Sequence, residues 1–283
     1  KPVAAGDTAR TAPALWHAMP PVCLITGASS GIGAALAERF AARGDALVLT
    51  ARRVERLEAL AAELRQRHGV TATLIPCDLA DPAGADRLLQ ALTQQDLQVT
   101  TLVNNAGFGL RGDYTDSPWP EASAMLQLMV TAPARLCHGL LPAMQSAGTG
   151  TIVNVASLAG LIPGLPGSTL YSASKAFLIR LSQSLAAENR AAGVRVLAVC
   201  PGYVHTEFHA VLGVEERMQR LPGLFWMNSA DLAQRVLAAL DGQRAVLVPG
   251  GLNRSIAALA RLLPESTAGR LSASFSRRYR GRP

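Results

Sequence analysis

Lysine is almost absent from this chain. Apart from Lys1 there is one, Lys175, against 25 arginines. The composition uses Arg wherever a positive charge is wanted, so a position that keeps Lys stands out. Cysteine is sparse too. Cys23, Cys77, Cys137 and Cys200 show no paired spacing, which argues against a zinc site or a disulfide framework. It favours a reducing, cytoplasmic setting. Aromatics make up 5% of the chain, while small and aliphatic residues dominate a 49% hydrophobic content. That is enough for a large core and too much for a disordered chain. No apolar run reaches the roughly 18 residues that span a bilayer. The N-terminus lacks a long apolar stretch with a cleavage site, so no secretory signal is expected.

Acidic residues are nearly missing from the end of the chain. Residues 252–283 hold seven Arg and one acid, Glu265, so almost all of the net charge of +7 sits there. The basic character therefore describes a tail, and the body is not expected to bind nucleic acid.

What is present alternates. Short aliphatic runs at 22–26, 46–50, 71–76, 100–103, 151–156, 194–200 and 245–248 read as buried strands. Between them, 32–43, 53–68, 82–94, 121–146, 171–191 and 230–240 carry helical periodicity. Strand–helix alternation with continuous apolar strands predicts one α/β domain: a doubly wound, Rossmann-like parallel sheet of seven strands with helices on both faces. Residues 1–18, rich in Ala, Pro and Thr, are expected to be a disordered extension before a domain at 19–251. Residues 252–283 are expected to form a basic helix and tail. The stretch 202–229 breaks the rhythm and is read as a substrate lid at the carboxyl edge of the sheet.

The lone internal Lys lies in Tyr171-Ser172-Ala173-Ser174-Lys175. Tyr and Lys four apart share a helix face. An ammonium beside a phenol favours the phenolate, giving an acid/base suited to neutral pH. At the other end, the first strand runs into Thr26-Gly27-Ala28-Ser29-Ser30-Gly31-Ile32-Gly33 and a helix. Gly27 permits the tight turn, Gly31 lets backbone approach a phosphate, and Gly33 lets the helix close on the strand. The helix N-terminus attracts the phosphate. After the second strand comes Ala51-Arg52-Arg53 with no acid. Two guanidiniums in place of a carboxylate favour a 2′-phosphate, hence NADP over NAD.

Four stretches in order, Thr26 to Gly33, Asn104-Asn105-Ala106-Gly107, Tyr171 to Lys175 and Pro201-Gly202, resemble the short-chain dehydrogenases/reductases across roughly residues 20–250. The resemblance implies hydride transfer between NADPH and a carbonyl or secondary alcohol. It implies Tyr171 as proton donor, Lys175 as its partner and Ser157 as the hydroxyl that orients substrate. Gly27, Ser29, Ser30, Gly31, Ile32 and Gly33 would form the phosphate turn, with Arg52 and Arg53 on the 2′-phosphate. Asp78 and Leu79 would meet adenine, and Asn105, Ala106 and Gly107 its ribose. Lys175 would also hold the nicotinamide ribose beside Tyr171. Pro201, Gly202, Val204 and Thr206 would hold the nicotinamide. A homodimer or homotetramer is implied through helices 121–146 and 171–191.

One position departs from the family. Met129 stands where an Asn usually helps a proton-relay water, and no Asn occurs between 105 and 154. A thioether accepts weakly and donates nothing, so a non-catalytic NADP-binding sensor or scaffold is the alternative to an enzyme. Leu161, Ile162, Leu165, Leu212, Leu224, Phe225 and Trp226 suggest an apolar substrate. His205 and His209 share a loop with only Glu207 nearby, and no metal is expected there. The stripe of Leu252, Ile256, Leu259, Leu262 and Leu263 before the Arg-rich tail suggests peripheral membrane contact, or packing on the fold.

Overall fold

The computed structural model describes residues 20–164, 166–208 and 221–280. The expected N-terminal extension, Leu165, His209 and Leu212 lie outside them. In order the elements are β1 (Val22–Thr26), α1 (Gly31–Ala42), β2 (Ala46–Thr50), α2 (Val54–His68), β3 (Ala72–Leu74), α3 (Gly84–Gln94) and β4 (Val99–Asn104). Then come α4 (Trp119–Leu126), α5 (Ala132–Ala147), β5 (Gly150–Val155), α6 (Thr169–Asn189), β6 (Val194–Val199), β7 (Tyr203–His205) and β8 (Trp226–Asn228). The chain continues with α7 (Ser229–Ala239), β9 (Val246–Leu247), α8 (Gly251–Leu262) and α9 (Glu265–Arg280).

Seven strands form one parallel sheet in the order β3-β2-β1-β4-β5-β6-β9. Successive residues along each strand face opposite sides, and both sides are apolar because both are covered. Cys23, Ile25, Leu47, Leu49, Val103, Val153 and Leu197 pack under α1, α2 and α7. Leu24, Val48, Leu102, Ile152 and Val196 pack under α3 and α5. The chain winds outward from β1 in both directions. Its neighbours β2 and β4 are reached by separate crossovers, so a crevice opens at their carboxyl ends, where α/β sheets bind ligands.

Three local features differ from the expected pattern. The single helix expected at 121–146 is two helices joined by a wider turn at Gln127–Thr131. There the Ala132 N–H bonds the Gln127 carbonyl, five residues back. Pro133 has no N–H for the Met129 carbonyl and would crowd it, so the ladder opens at this point. Second, the irregular stretch 202–229 contains a small parallel sheet in which Tyr203, Val204 and His205 pair with Trp226, Met227 and Asn228. Third, the apolar stripe after 251 belongs to α8, which is tied to the body. Asn253 is buried, donates to the Pro249 carbonyl at 2.8 Å, and sits so near Gly202 that a β-carbon there would lie 2.6 Å from its Oδ1. Leu259 and Leu262 of the stripe remain exposed. Leu263, extended before Pro264, ends α8 and α9 follows.

Candidate active site

The crevice is a cleft of about 420 Å³ running along the carboxyl edge of the sheet. Every catalytic and cofactor-binding residue expected from the sequence lines it except Gly33. Gly33 serves from behind. A β-carbon there would lie 2.3 Å from the Gly27 carbonyl oxygen, so only glycine lets α1 start this close to the turn. Gly27 (φ 65°) and Gly31 (φ 57°) both take left-handed backbone. A β-carbon at Gly31 would also meet the Thr206 side chain at 2.9 Å. Ser30 starts α1 in an extended conformation without a side-chain bond to the helix. The first-turn N–H groups of α1 are thus left to an anion. A cradle that admits no side chain, a bare helix end and flanking guanidiniums fit a dinucleotide phosphate.

Sequence reasoning missed what holds that cradle. Thr26 Oγ1 accepts from the backbone N–H groups of Asn105 (2.9 Å) and Ala106 (3.1 Å) and donates to the Val103 carbonyl (3.2 Å). The Asn105 amide donates back to the carbonyls of Thr26 (2.9 Å) and Gly27 (3.2 Å). Asn105 is therefore spent on clamping the glycine turn to the loop after β4. Behind it, buried Asn104 donates to Asn154 (2.8 Å), which donates to Ser182 (2.8 Å). Asp78 accepts from the Ala80 N–H at 3.0 Å, which fixes the loop after β3 at the cleft wall.

Arg52 and Arg53 both line the cleft. Arg53 bonds Ser29, Ser30 and Glu207, whereas Arg52 makes no hydrogen bond or ion pair among the described residues. Glu207 was not expected at the site. Guanidinium hydrogen bonds from Arg53 and then Arg56 hold its carboxyl below the usual carboxylate range.

At the other end, Ser157, Tyr171 and Lys175 line the cleft together. Ser157 lies two residues past the end of β5, and its Oγ accepts from the Ala159 N–H at 3.1 Å. That leaves the hydroxyl hydrogen to point elsewhere. Gly160 permits α6 to approach this turn, since a β-carbon would lie 2.6 Å from Ala176 N and Lys175 C. Tyr171 and Lys175 lie one turn apart on α6, with Nζ 5.6 Å from the phenol ring centre. Lys175 is buried and donates to the Val155 carbonyl at 2.7 Å. Burial lowers its pKa from 10.5 to about 8. The Phe208 ring covers Tyr171 at 5.5 Å.

The apolar lining differs from the residues expected. Ile162 lines the cleft, but Leu161 packs into a small core cluster and Leu224 is exposed. Trp226 stacks on His205 (4.6 Å) and tilts against Tyr203, and Phe225 also lies off the cleft. Phe108, Leu128, Met129, Leu158 and Phe208 take their place. Buried Met129 lies 3.5 Å from where a Gly107 β-carbon would be. Among the described residues no His, Cys, Asp and Glu group could hold a metal.

Comparison with known proteins agrees with this geometry. Residues 21–217 match the family model described as short chain dehydrogenase. The chain is 45% identical over 192 residues to a sulfoacetaldehyde reductase of Chromohalobacter salexigens, covering 66% of this chain and 74% of that protein. A short-chain dehydrogenase from Sphingobium yanoikuyae, solved in complex with NADPH, superposes with a TM-score of 0.76 at 36% identity, over 86% of this chain and 96% of that one. The bulky-bulky ketone specific alcohol dehydrogenase from Comamonas testosteroni gives 0.72 at 33% identity, over 86% and 95%. The chain belongs to the short-chain dehydrogenase/reductase family of oxidoreductases.

Proposed function

We propose that the protein is an NADPH-dependent carbonyl reductase or alcohol dehydrogenase acting on an apolar ketone or secondary alcohol. The observation that carries this reading is that Ser157, Tyr171 and Lys175 line the same cleft as the glycine turn and Arg52. The cofactor, when bound, supplies or accepts the hydride. The chain's own residues manage the proton and the orientation. Ser157 Oγ, with its lone pair engaged by Ala159, is set to donate to a carbonyl oxygen and polarise it. Tyr171 Oη protonates the same oxygen in reduction and takes the proton back in oxidation. Lys175, anchored on Val155, places a positive charge beside the phenol that favours negative charge on Oη. Each properly aimed donor contributes about a hundredfold or more to such a step.

The substrate end of the cleft supports the apolar reading. Among the described lining residues the cations are Arg52, Arg53 and Lys175. None of these is placed to meet a sulfonate while Lys175 attends Tyr171 and the arginines flank the glycine turn. Phe108, Leu128, Met129 and Ile162 offer hydrocarbon instead. The protein is proposed to work in the cytoplasm as a homodimer or homotetramer. Met129 keeps the sensor reading in play, and turnover decides between them. A screen of NADPH consumption over bulky ketones, small aldehydes and sulfonated aldehydes is the test. Sustained turnover is expected with the first group. Preference for sulfonated aldehydes would overturn the substrate class, and no turnover with any carbonyl would favour the sensor. Wild-type protein should bind NADPH at least about tenfold tighter than NADH, and Arg52→Asp should remove most of that difference.

A further inference from the structure

Arg53 is already engaged where a phosphate would meet it. Its Nη1 donates to Glu207 Oε2 at 2.9 Å and its Nη2 to Ser30 Oγ at 2.7 Å. Its Nε and Nη2 reach Ser29 Oγ at 3.3 and 3.2 Å. The second Glu207 oxygen, Oε1, accepts from Arg56 Nη1 at 2.6 Å. One carboxylate, carried just beyond β7, thus bridges two guanidiniums at the start of α2, more than 150 residues away in the chain. Ser29 and Ser30 belong to the glycine turn, so the whole group stands at the phosphate end of the cleft.

A carboxylate and a phosphate present a guanidinium with the same pair of acceptor oxygens. A dianion arriving between Ser29, Ser30 and Arg53 meets the Glu207 carboxylate within the span of a single guanidinium. It must take Arg53 from Glu207 or sit beside a like charge. The bridge is built to be exchanged. The Arg53, Arg56 and Glu207 side chains are 44%, 48% and 48% exposed, so their pairing is screened by water and weak. The four serine and carboxylate bonds nonetheless hold Arg53 at the turn, in the place where the phosphate would need it.

We propose that Glu207 is a determinant of cofactor affinity: an internal carboxylate that occupies Arg53 and Arg56 and competes with the 2′-phosphate of the dinucleotide for them. Arg56, which does not line the cleft, is brought into the phosphate-facing group by Glu207 and becomes available with Arg53 when the carboxylate is displaced. The inference rests on the NADPH reading above. It predicts that this chain binds NADPH less tightly than its arginines allow.

Direct binding tests it. Dissociation constants for NADPH, NADH, adenosine 2′,5′-bisphosphate and 5′-AMP are measured by calorimetry on the wild-type chain and on Glu207→Gln, which keeps the shape and removes the charge. Each exposed ion pair shifts an equilibrium by a factor of about 1.4 to 5. Losing both should therefore tighten NADPH and adenosine 2′,5′-bisphosphate by about two- to 25-fold. NADH and 5′-AMP should move by less than about twofold, which also reports that the variant is folded. The gain should shrink at high salt, where screening already weakens the bridge. Unchanged or weaker binding of the bisphosphate by Glu207→Gln overturns the inference while leaving the NADPH reading standing. Equal gains for ligands with and without the 2′-phosphate also overturn it. Wild-type protein that binds NADPH and NADH equally overturns the NADPH reading, and this inference with it.

Discussion

Replacing Lys175 with Met should make the protein more stable at neutral pH while stopping turnover. The side chain is buried, and burial, opposed by the nearby Cys200 thiol, brings its pKa from 10.5 to about 8. Holding the ammonium inside the native fold therefore costs about 3 kcal/mol at pH 7. Met fills a similar volume without charge. Against that gain, the Val155 carbonyl loses the 2.7 Å bond from Nζ, which costs about 1 kcal/mol. The net is about 2 kcal/mol in favour of the variant, a rise in melting temperature of about 4–8 °C for a domain this size. The pH dependence has a definite sign. Between about pH 8 and 10.5 the unfolded wild-type chain binds more protons at Lys175 than the native one does, so wild-type stability rises with pH there. The Met variant has no such proton. Its advantage is complete below pH 8, shrinks through that window, and reverses above it, because the neutral amine still donates to Val155. Thermal unfolding of both chains without cofactor, at pH 7, 8.5 and 10, gives the answer. A variant less stable at pH 7, or a difference that does not fall with pH, would refute the reasoning that Lys175 is held as a buried, destabilising ammonium.

Tyr171→Phe should lower turnover by about a hundred- to ten-thousandfold, with cofactor dissociation constants within about twofold of wild type, since the ring still packs on Phe208 and only the hydroxyl is lost. A variant retaining most of its rate would mean that another group carries the proton. Met129→Asn should keep or raise turnover but unfold at lower temperature, because a buried thioether against Gly107 is exchanged for a smaller amide, a loss of about 2 kcal/mol. A collapse of activity in folded protein would show that the helix uses the thioether itself. Exposed Leu259, Leu262 and Leu271 on α8 and α9, followed by the basic tail, should bring full-length protein to anionic vesicles at low salt. Indifference to those vesicles in a flotation assay would assign the helices to the fold or to subunit contacts.

The parts of this molecule that were legible in the sequence are those written within a few consecutive residues. The strand–turn–helix at 22–42 carries its aliphatic run, its glycines and its helix in unbroken order, and the structure follows it to within one residue at each end of the helix. Lys175 was legible because a chain that otherwise uses Arg kept one Lys, four residues after a Tyr. The opening of the helix at Gln127–Thr131 was written more faintly. Apolar periodicity runs straight through it, and Pro133 is the one residue that announces it. The β7–β8 pair was not legible. Its strands are three residues each, too short to show alternation, and Tyr203 meets Trp226 across a long connection.

The lining of the cleft shows why the remainder stayed hidden. The sequence marks Leu224, Phe225 and Trp226 within 202–229 as apolar lining, but it does not say which way a loop side chain faces. Trp226 turned to stack on His205, and Leu224 turned outward. The cleft took Phe108 and Phe208 from connections whose sequence carries no periodic signal. Charge is subject to the same limit. Arg52 and Arg53 are neighbours in sequence with the same formal charge, yet one is committed to Ser29, Ser30 and Glu207 and the other is not. Part of what separates them is a carboxylate more than 150 positions away. The chemistry of the site can therefore be read from local motifs, whereas its affinities depend on contacts between distant parts of the chain. A sequence pattern that predicts a phosphate-binding arginine is silent about the acid already bound to it.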